Sequence, residues 1–149
     1  MTSLFDPVSM TRGPGLKNRF MLAPLTNLQS HVDGTLSDDE YKWLTLRAQG
    51  GFGATMTCAS HVQAQGQGFP GQLGCWSDAH LAGLTRLAAG IKAAGSAAYV
   101  QLHHAGMRSP RDLTPASTVR LAEKPPISSC SGPRRGRCAP SIFRSIWVL

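Results

Sequence analysis

Apolar residues follow two alternating rhythms over the first 113 positions of the chain. Phe20–Ala23 is an unbroken apolar run, which predicts a short strand buried on both faces of a parallel sheet. Pro24 has no N–H to give a neighbouring strand, so the strand stops there. The helical period then takes over. Ser37-Asp38-Asp39-Glu40 reads as a capping box: the Ser37 hydroxyl accepts from the Glu40 N–H and the Glu40 carboxylate reaches back. Leu36 and Tyr41 stand where a hydrophobic staple would close around that cap. Tyr41, Leu44 and Ala48 form one apolar stripe, and Gly50-Gly51 supplies the stop. Asp38 and Asp39 suit the positive end of the helix dipole.

The rhythm repeats. Ala54–Ser60 is a second strand candidate, followed by a Gly- and Gln-rich loop over His61–Gly74. Ser77 is placed to cap a second helix, with Leu81, Leu84, Ala88 and Ile91 on its apolar face and Gly95 as its stop. Ala97–Leu102 gives a third strand leading into His103-His104-Ala105-Gly106. Strand–helix–strand–helix–strand at this spacing predicts right-handed parallel crossovers and an α/β fold. Periodicity alone does not choose between an open sheet and a closed barrel. No G-x-G-x-x-G follows the first strand, which weighs against a Rossmann half, and Arg12-Gly13-Pro14-Gly15 precedes that strand and reads as a turn.

From Thr114 the pattern changes. Residues 114–149 hold half of the chain's ten prolines and read as an irregular basic tail rich in Pro, Arg and Ser. The net charge of +7 is concentrated there, because the first 113 residues contain nine Lys and Arg against seven Asp and Glu. A basic tail suits phosphate contacts, but these arginines carry no companion motif, so no nucleic-acid partner is expected. The break in pattern suggests a shifted reading frame, which translating the DNA in its other two frames would test. The chain has no run of about 18 apolar residues and no secretory signal at its start, so no membrane association and a cytoplasmic location are the expectation. Cys58, Cys75, Cys130 and Cys138 form no closely spaced pair and read as reduced thiols rather than metal ligands.

Several short blocks carry a family resemblance. Leu4-Phe5-Asp6-Pro7, Leu16-Lys17-Asn18-Arg19-Phe20 and Ala23-Pro24-Leu25-Thr26-Asn27 come first. Gly51-Phe52-Gly53, Trp76-Ser77-Asp78 and Gln101-Leu102-His103-His104-Ala105-Gly106 follow in order. Over residues 3–113 this series resembles the N-terminal part of the Old Yellow Enzyme family of NADH:flavin oxidoreductases. The resemblance implies an α/β chain making the first three βα units of a TIM (β/α)8 barrel, incomplete here because such a barrel takes about 250 residues. It implies FMN over the carboxyl ends of the strands, NADH or NADPH as reductant, and a small-molecule substrate such as an activated alkene. The oligomeric state stays open, a homo-oligomer included.

By the same resemblance, the backbone of Ala23, Pro24 and Leu25 lines the flavin edge, and the Thr26 hydroxyl lies near its carbonyl and N5 region. Some branches of the family carry Cys where Thr26 stands. On context alone, Thr26 equally well starts a loop turn. Ala59 corresponds to a small residue beneath the ring, although Ala is common in any core. Gln101 corresponds to a glutamine whose amide pairs with the pyrimidine side, against the plainer reading of a buried amide serving the sheet. His104 matches a family His-Ala-Gly, whereas His103 has no obvious counterpart role. Met107 intervenes before Arg108, so both His104 and Arg108 are placed only in the flavin or substrate vicinity. Adjacent strand residues face opposite ways, so His103 and His104 do not suggest a shared metal, and no metal is expected. The family's proton donor, its substrate-binding pair and its phosphate site belong to later strands, so no catalytic residue is assigned. A catalytically inactive remnant of the family, or a basic nucleic-acid-contacting module, are the alternatives.

Overall fold

A computed structural model of the protein describes residues 2–113. The tail at 114–149, with Cys130 and Cys138, lies outside the described residues. The chain runs β1 (Met21–Leu22), α1 (Asp38–Gln49), β2 (Ala54–His61), α2 (Leu81–Ala93) and β3 (Ala97–His103), with single 3-10 turns at Ala64–Gly66, Asp78–His80 and Gly106–Arg108. The strands form one sheet in the order β1-β2-β3, and both pairings are parallel. This is the α/β crossover pattern expected from the sequence. The helix that would complete a third βα unit is not found among the described residues.

The helices cover one face of the sheet. Leu22 of β1, Cys58 of β2 and Ala98 of β3 form the core with Leu44 and Ala48 of α1, Leu87 and Ile91 of α2, and Leu73 from the loop after β2. The expected stripe on α1 therefore holds, with Tyr41 half-buried at its edge. Two expectations about burial fail. β1 is shorter than Phe20–Ala23, and Met21 is 50% exposed, because nothing among the described residues covers the second face of β1. Leu81, placed on the apolar face of α2, is 62% exposed. It lies one turn too early to reach the sheet, since α2 begins at Leu81 itself.

The caps are also partly as read. Ser37 Oγ accepts from the Glu40 N–H at 3.1 Å, as a capping box requires. The reciprocal half is not made: the Glu40 carboxyl turns inward to Ser30 Oγ and Cys58 Sγ. Ser77 begins the 3-10 turn Asp78–His80 rather than α2, and its hydroxyl bonds His80 Nδ1 at 3.0 Å.

One irregularity positions the site. The register runs Met56↔Tyr99 and then Ala59↔Gln101, so β2 uses three steps where β3 uses two. This is a β-bulge, a device that re-aims side chains at the end of a strand. Thr57 fills the gap, its hydroxyl accepting from the Gln101 N–H at 3.3 Å and donating to the Cys58 carbonyl at 2.8 Å. The bulge sets Ala59 directly across from Gln101.

Candidate functional site at the carboxyl ends of the strands

Parallel pairing puts the carboxyl ends of β1, β2 and β3 on the same edge of the sheet. Four of the sequence-nominated residues, Ala23, Pro24, Leu25 and Thr26, leave β1 at that edge, with Leu25 54% exposed and Pro24 half-buried. Ala59 and Gln101 are a cross-strand pair near the same end, both half-buried. The remaining two nominees lie further on. His104 is exposed, with Nδ1 accepting from the Gly106 N–H at 2.9 Å and Nε2 within 3.0 Å of Gln63 Oε1. Both of its ring nitrogens are thus engaged in loop contacts. Arg108 ends the exposed turn Gly106–Arg108.

The loop after β2 supplies polar groups that sequence reasoning missed. Gln72 is fully buried and bonds Ala59, His103 and Gly68 at once. His61, at the end of β2, holds Nδ1 3.0 Å from the Gln63 carbonyl, and its Nε2 is buried without a partner. Burial holds His61 below the usual histidine range against that backbone bond, and nearby His80 and His104 push the same way as burial. Trp76 neighbours both His61 and His80, its ring centre 6.4 Å from the first imidazole and 5.2 Å from the second. For Gln72 and His61 the sequence signal was the Gln- and Gly-rich composition of the loop, whereas Trp76 stood in the Trp76-Ser77-Asp78 block.

Two further buried atoms stand out. Asn27 Nδ2 and Gln29 Oε1 have no hydrogen-bond partner, and both follow Thr26 in the segment leaving β1. Buried polar groups are otherwise paired almost without exception. An orphaned donor and an orphaned acceptor on the segment leaving β1, on the same edge of the sheet as the small residue Ala59 and the carboxamide Gln101, are the polar groups a flat ligand with a polar rim would use. A flavin has that character, so the residues present fit the group the sequence implied.

Burial pushes Cys58 far up from its ordinary value, with the Glu40 carboxyl adding to it, and burial also raises Cys75. Both shifts disfavour the thiolate, which is the nucleophilic form. Among the described residues, no three His, Cys, Asp or Glu side chains gather as metal ligands, and no helix is long and apolar enough to cross a membrane.

Comparison with known proteins identifies the family. The model of the NADH:flavin oxidoreductase / NADH oxidase family matches residues 3–135, running past Leu113 into the basic tail. The probable NADH-dependent flavin oxidoreductase YqiG of Bacillus subtilis is 36% identical over 116 residues, covering 78% of this chain and 31% of that protein. An NADPH dehydrogenase of Bacillus pumilus is 38% identical over 120 residues, covering 78% of this chain and 35% of the relative. Among solved structures, the old yellow enzyme homologue from Zymomonas mobilis superposes with a TM-score of 0.69 at 28% identity, over 75% of this chain and 31% of that one. Morphinone reductase in complex with tetrahydroNAD gives 0.69 at 26% identity, over 77% and 31%. The chain thus spans about a third of the length of these relatives.

Proposed function

Because the chain belongs to the NADH:flavin oxidoreductase / NADH oxidase family, we propose that residues 1–113 are the N-terminal part of an FMN-binding (β/α)8 barrel. In this reading the three strands are the first of eight, and their carboxyl ends carry one edge of the flavin site. The observation that carries it is the bulge-set pairing of Ala59 with Gln101, on the edge from which Ala23–Thr26 depart. Active sites of such barrels lie at the carboxyl ends of the strands. The barrel's activity is transfer of hydride from NADH or NADPH to an activated alkene or similar small-molecule acceptor.

When bound, FMN supplies the two-electron store between reductant and acceptor. The chain's own residues bind and tune. Gln101 offers donor and acceptor on one planar group and pairs with a ring edge that presents both. Ala59 leaves room where a larger side chain would collide. The Thr26 hydroxyl is a donor placed where charge builds on reduction, which stabilises the reduced form. Ala23, Pro24 and Leu25 present backbone to the same edge. His104 and Arg108 follow β3 beyond Gln101 and are the nearby candidates for contact with flavin or substrate, His104 being held by its bonds to Gln63 and Gly106. The phosphate end falls to the last strands of a complete barrel.

Gln101→Leu tests the reading, because it keeps the volume and removes both hydrogen-bonding functions. FMN affinity, followed by quenching of flavin fluorescence, is expected to fall at least tenfold, corresponding to the loss of about 1.5 kcal/mol or more. Unchanged affinity, with unchanged circular dichroism, would remove Gln101 from the site.

A further inference from the structure

The flavin reading leaves unexplained why the loop after β2 buries a glutamine at the end of the sheet. The Gln72 side chain is fully enclosed, and three hydrogen bonds use it. Its Nε2 lies 2.8 Å from the Ala59 carbonyl and 3.1 Å from His103 Nδ1, while its Oε1 accepts from the Gly68 N–H at 2.7 Å. A flipped amide would set Oε1 against the Ala59 carbonyl and the NH2 group against the Gly68 N–H, which excludes it. The orientation is therefore fixed by its partners.

The bond to His103 has a chemical consequence. An amide nitrogen donates and does not accept. His103 Nδ1 must then present a lone pair, which leaves the ring proton on Nε2 and the imidazole neutral. Burial lowers the proton affinity of His103 as well, and the neighbouring His104 and His61 act in the same direction. His61 is the register partner of His103 across the β2–β3 pair, and His104 follows it in the chain. His103 itself lies two residues beyond Gln101 on β3 and so shares its face of the strand.

We propose that Gln72 is a positioning residue for the flavin edge. One amide holds the Ala59 carbonyl, and with it the bulged end of β2, while it locks His103 of β3 as the neutral Nε2–H tautomer. Two strand ends are thereby set relative to each other at the level where Ala59 faces Gln101. The role rests on the flavin reading of those two residues; the tautomer lock does not.

Long-range proton–nitrogen NMR of the imidazoles, across a pH titration of the full chain, tests it. Wild-type His103 is expected as the Nε2–H tautomer. Gln72→Glu places an acceptor-only carboxylate against Nδ1, and is expected to raise the His103 midpoint by about one pH unit or more. Gln72→Met, which neither donates nor accepts strongly, is expected to leave a mixture of tautomers. Both variants should weaken FMN binding about tenfold. A wild-type ring protonated on Nδ1, or a His103 titration that Gln72→Glu leaves unmoved, overturns the proposal whatever happens to FMN. If the His103 signals move and FMN affinity does not, in a protein whose affinity Gln101→Leu does weaken, the positioning role is overturned and the flavin reading stands. If Gln101→Leu has no effect, the flavin reading fails and takes the positioning role with it.

Discussion

Glu40→Ala is expected to lower the unfolding free energy by about 3 kcal/mol, a large share of the 5–15 kcal/mol typical of a small domain. Glu40 is fully buried on the first turn of α1, and its carboxyl is the acceptor for two groups from elsewhere in the fold. Ser30 Oγ donates to Oε2, and Cys58 Sγ donates to Oε1 at 3.1 Å. Truncation leaves a buried hydroxyl and a buried thiol without their acceptor and opens space inside the core. Glu40→Gln keeps the volume, and its amide can donate to Ser30 Oγ while its carbonyl accepts from Cys58. It should therefore lose less than half as much. Urea unfolding followed by circular dichroism separates the two variants. Equal losses would mean that volume matters here and the hydrogen bonds do not. Ser30 lies four residues beyond Thr26 and also donates its N–H to the Gly71 carbonyl at 3.1 Å.

Gly53→Ala is expected to cost a similar amount by a different route. Gly53 is the point where all three strands enter the sheet: its N–H donates to the Phe20 carbonyl at 3.0 Å, and its carbonyl accepts from the Ala97 N–H at 2.9 Å. A β-carbon there would lie 2.7 Å from the Asn18 carbonyl oxygen and 2.6 Å from Asn18 Oδ1. The side chain can swing away only by giving up the Phe20 N–H that Oδ1 accepts at 3.1 Å, and the backbone oxygen moves only if the segment leading into β1 moves with it. Asn18 is further held by its Nδ2, which donates to the Gly51 carbonyl at 2.7 Å. Overpacking against backbone falls at the upper end of the usual range, about 3 kcal/mol. Gly15→Ala is the control, since its β-carbon would meet only the Val8 carbonyl at an ordinary 3.8 Å, and it should be close to neutral. A Gly53→Ala midpoint indistinguishable from that of Gly15→Ala would show that β1 is not fixed against β2 at this point.

What the sequence made legible was local. The Ser37 cap is a contact between residues three apart, and its geometry follows from residue types alone. The order of strands and helices followed from two periods, and the parallel sheet followed from that order. The destination of the Glu40 carboxyl was not legible, because Ser30 and Cys58 lie 10 and 18 residues away and only tertiary packing brings them near. The same holds for Gln72, which reaches His103 across 31 residues. The bulge in β2 was invisible because Ala54–Ser60 has no residue whose preference marks it. Its effect is that Ala59, a weak candidate by composition, is now the partner of Gln101. Exposure of Met21 and Leu81 was misjudged because an apolar residue predicts a buried position only where something is present to bury it.

Under the proposed function, the carboxyl edge of this sheet seats a flavin. The most direct test is a proton–nitrogen NMR titration of the chain with FMN, carried to millimolar concentration because the phosphate anchors of such barrels come from later strands. Saturable shifts are predicted at Leu25, Thr26, Ala59 and the Gln101 side-chain amide, with Gly95 and Ser96 at the amino end of β3 unmoved. Shifts confined to the amino end, or none at the carboxyl edge at any concentration reached, would contradict it.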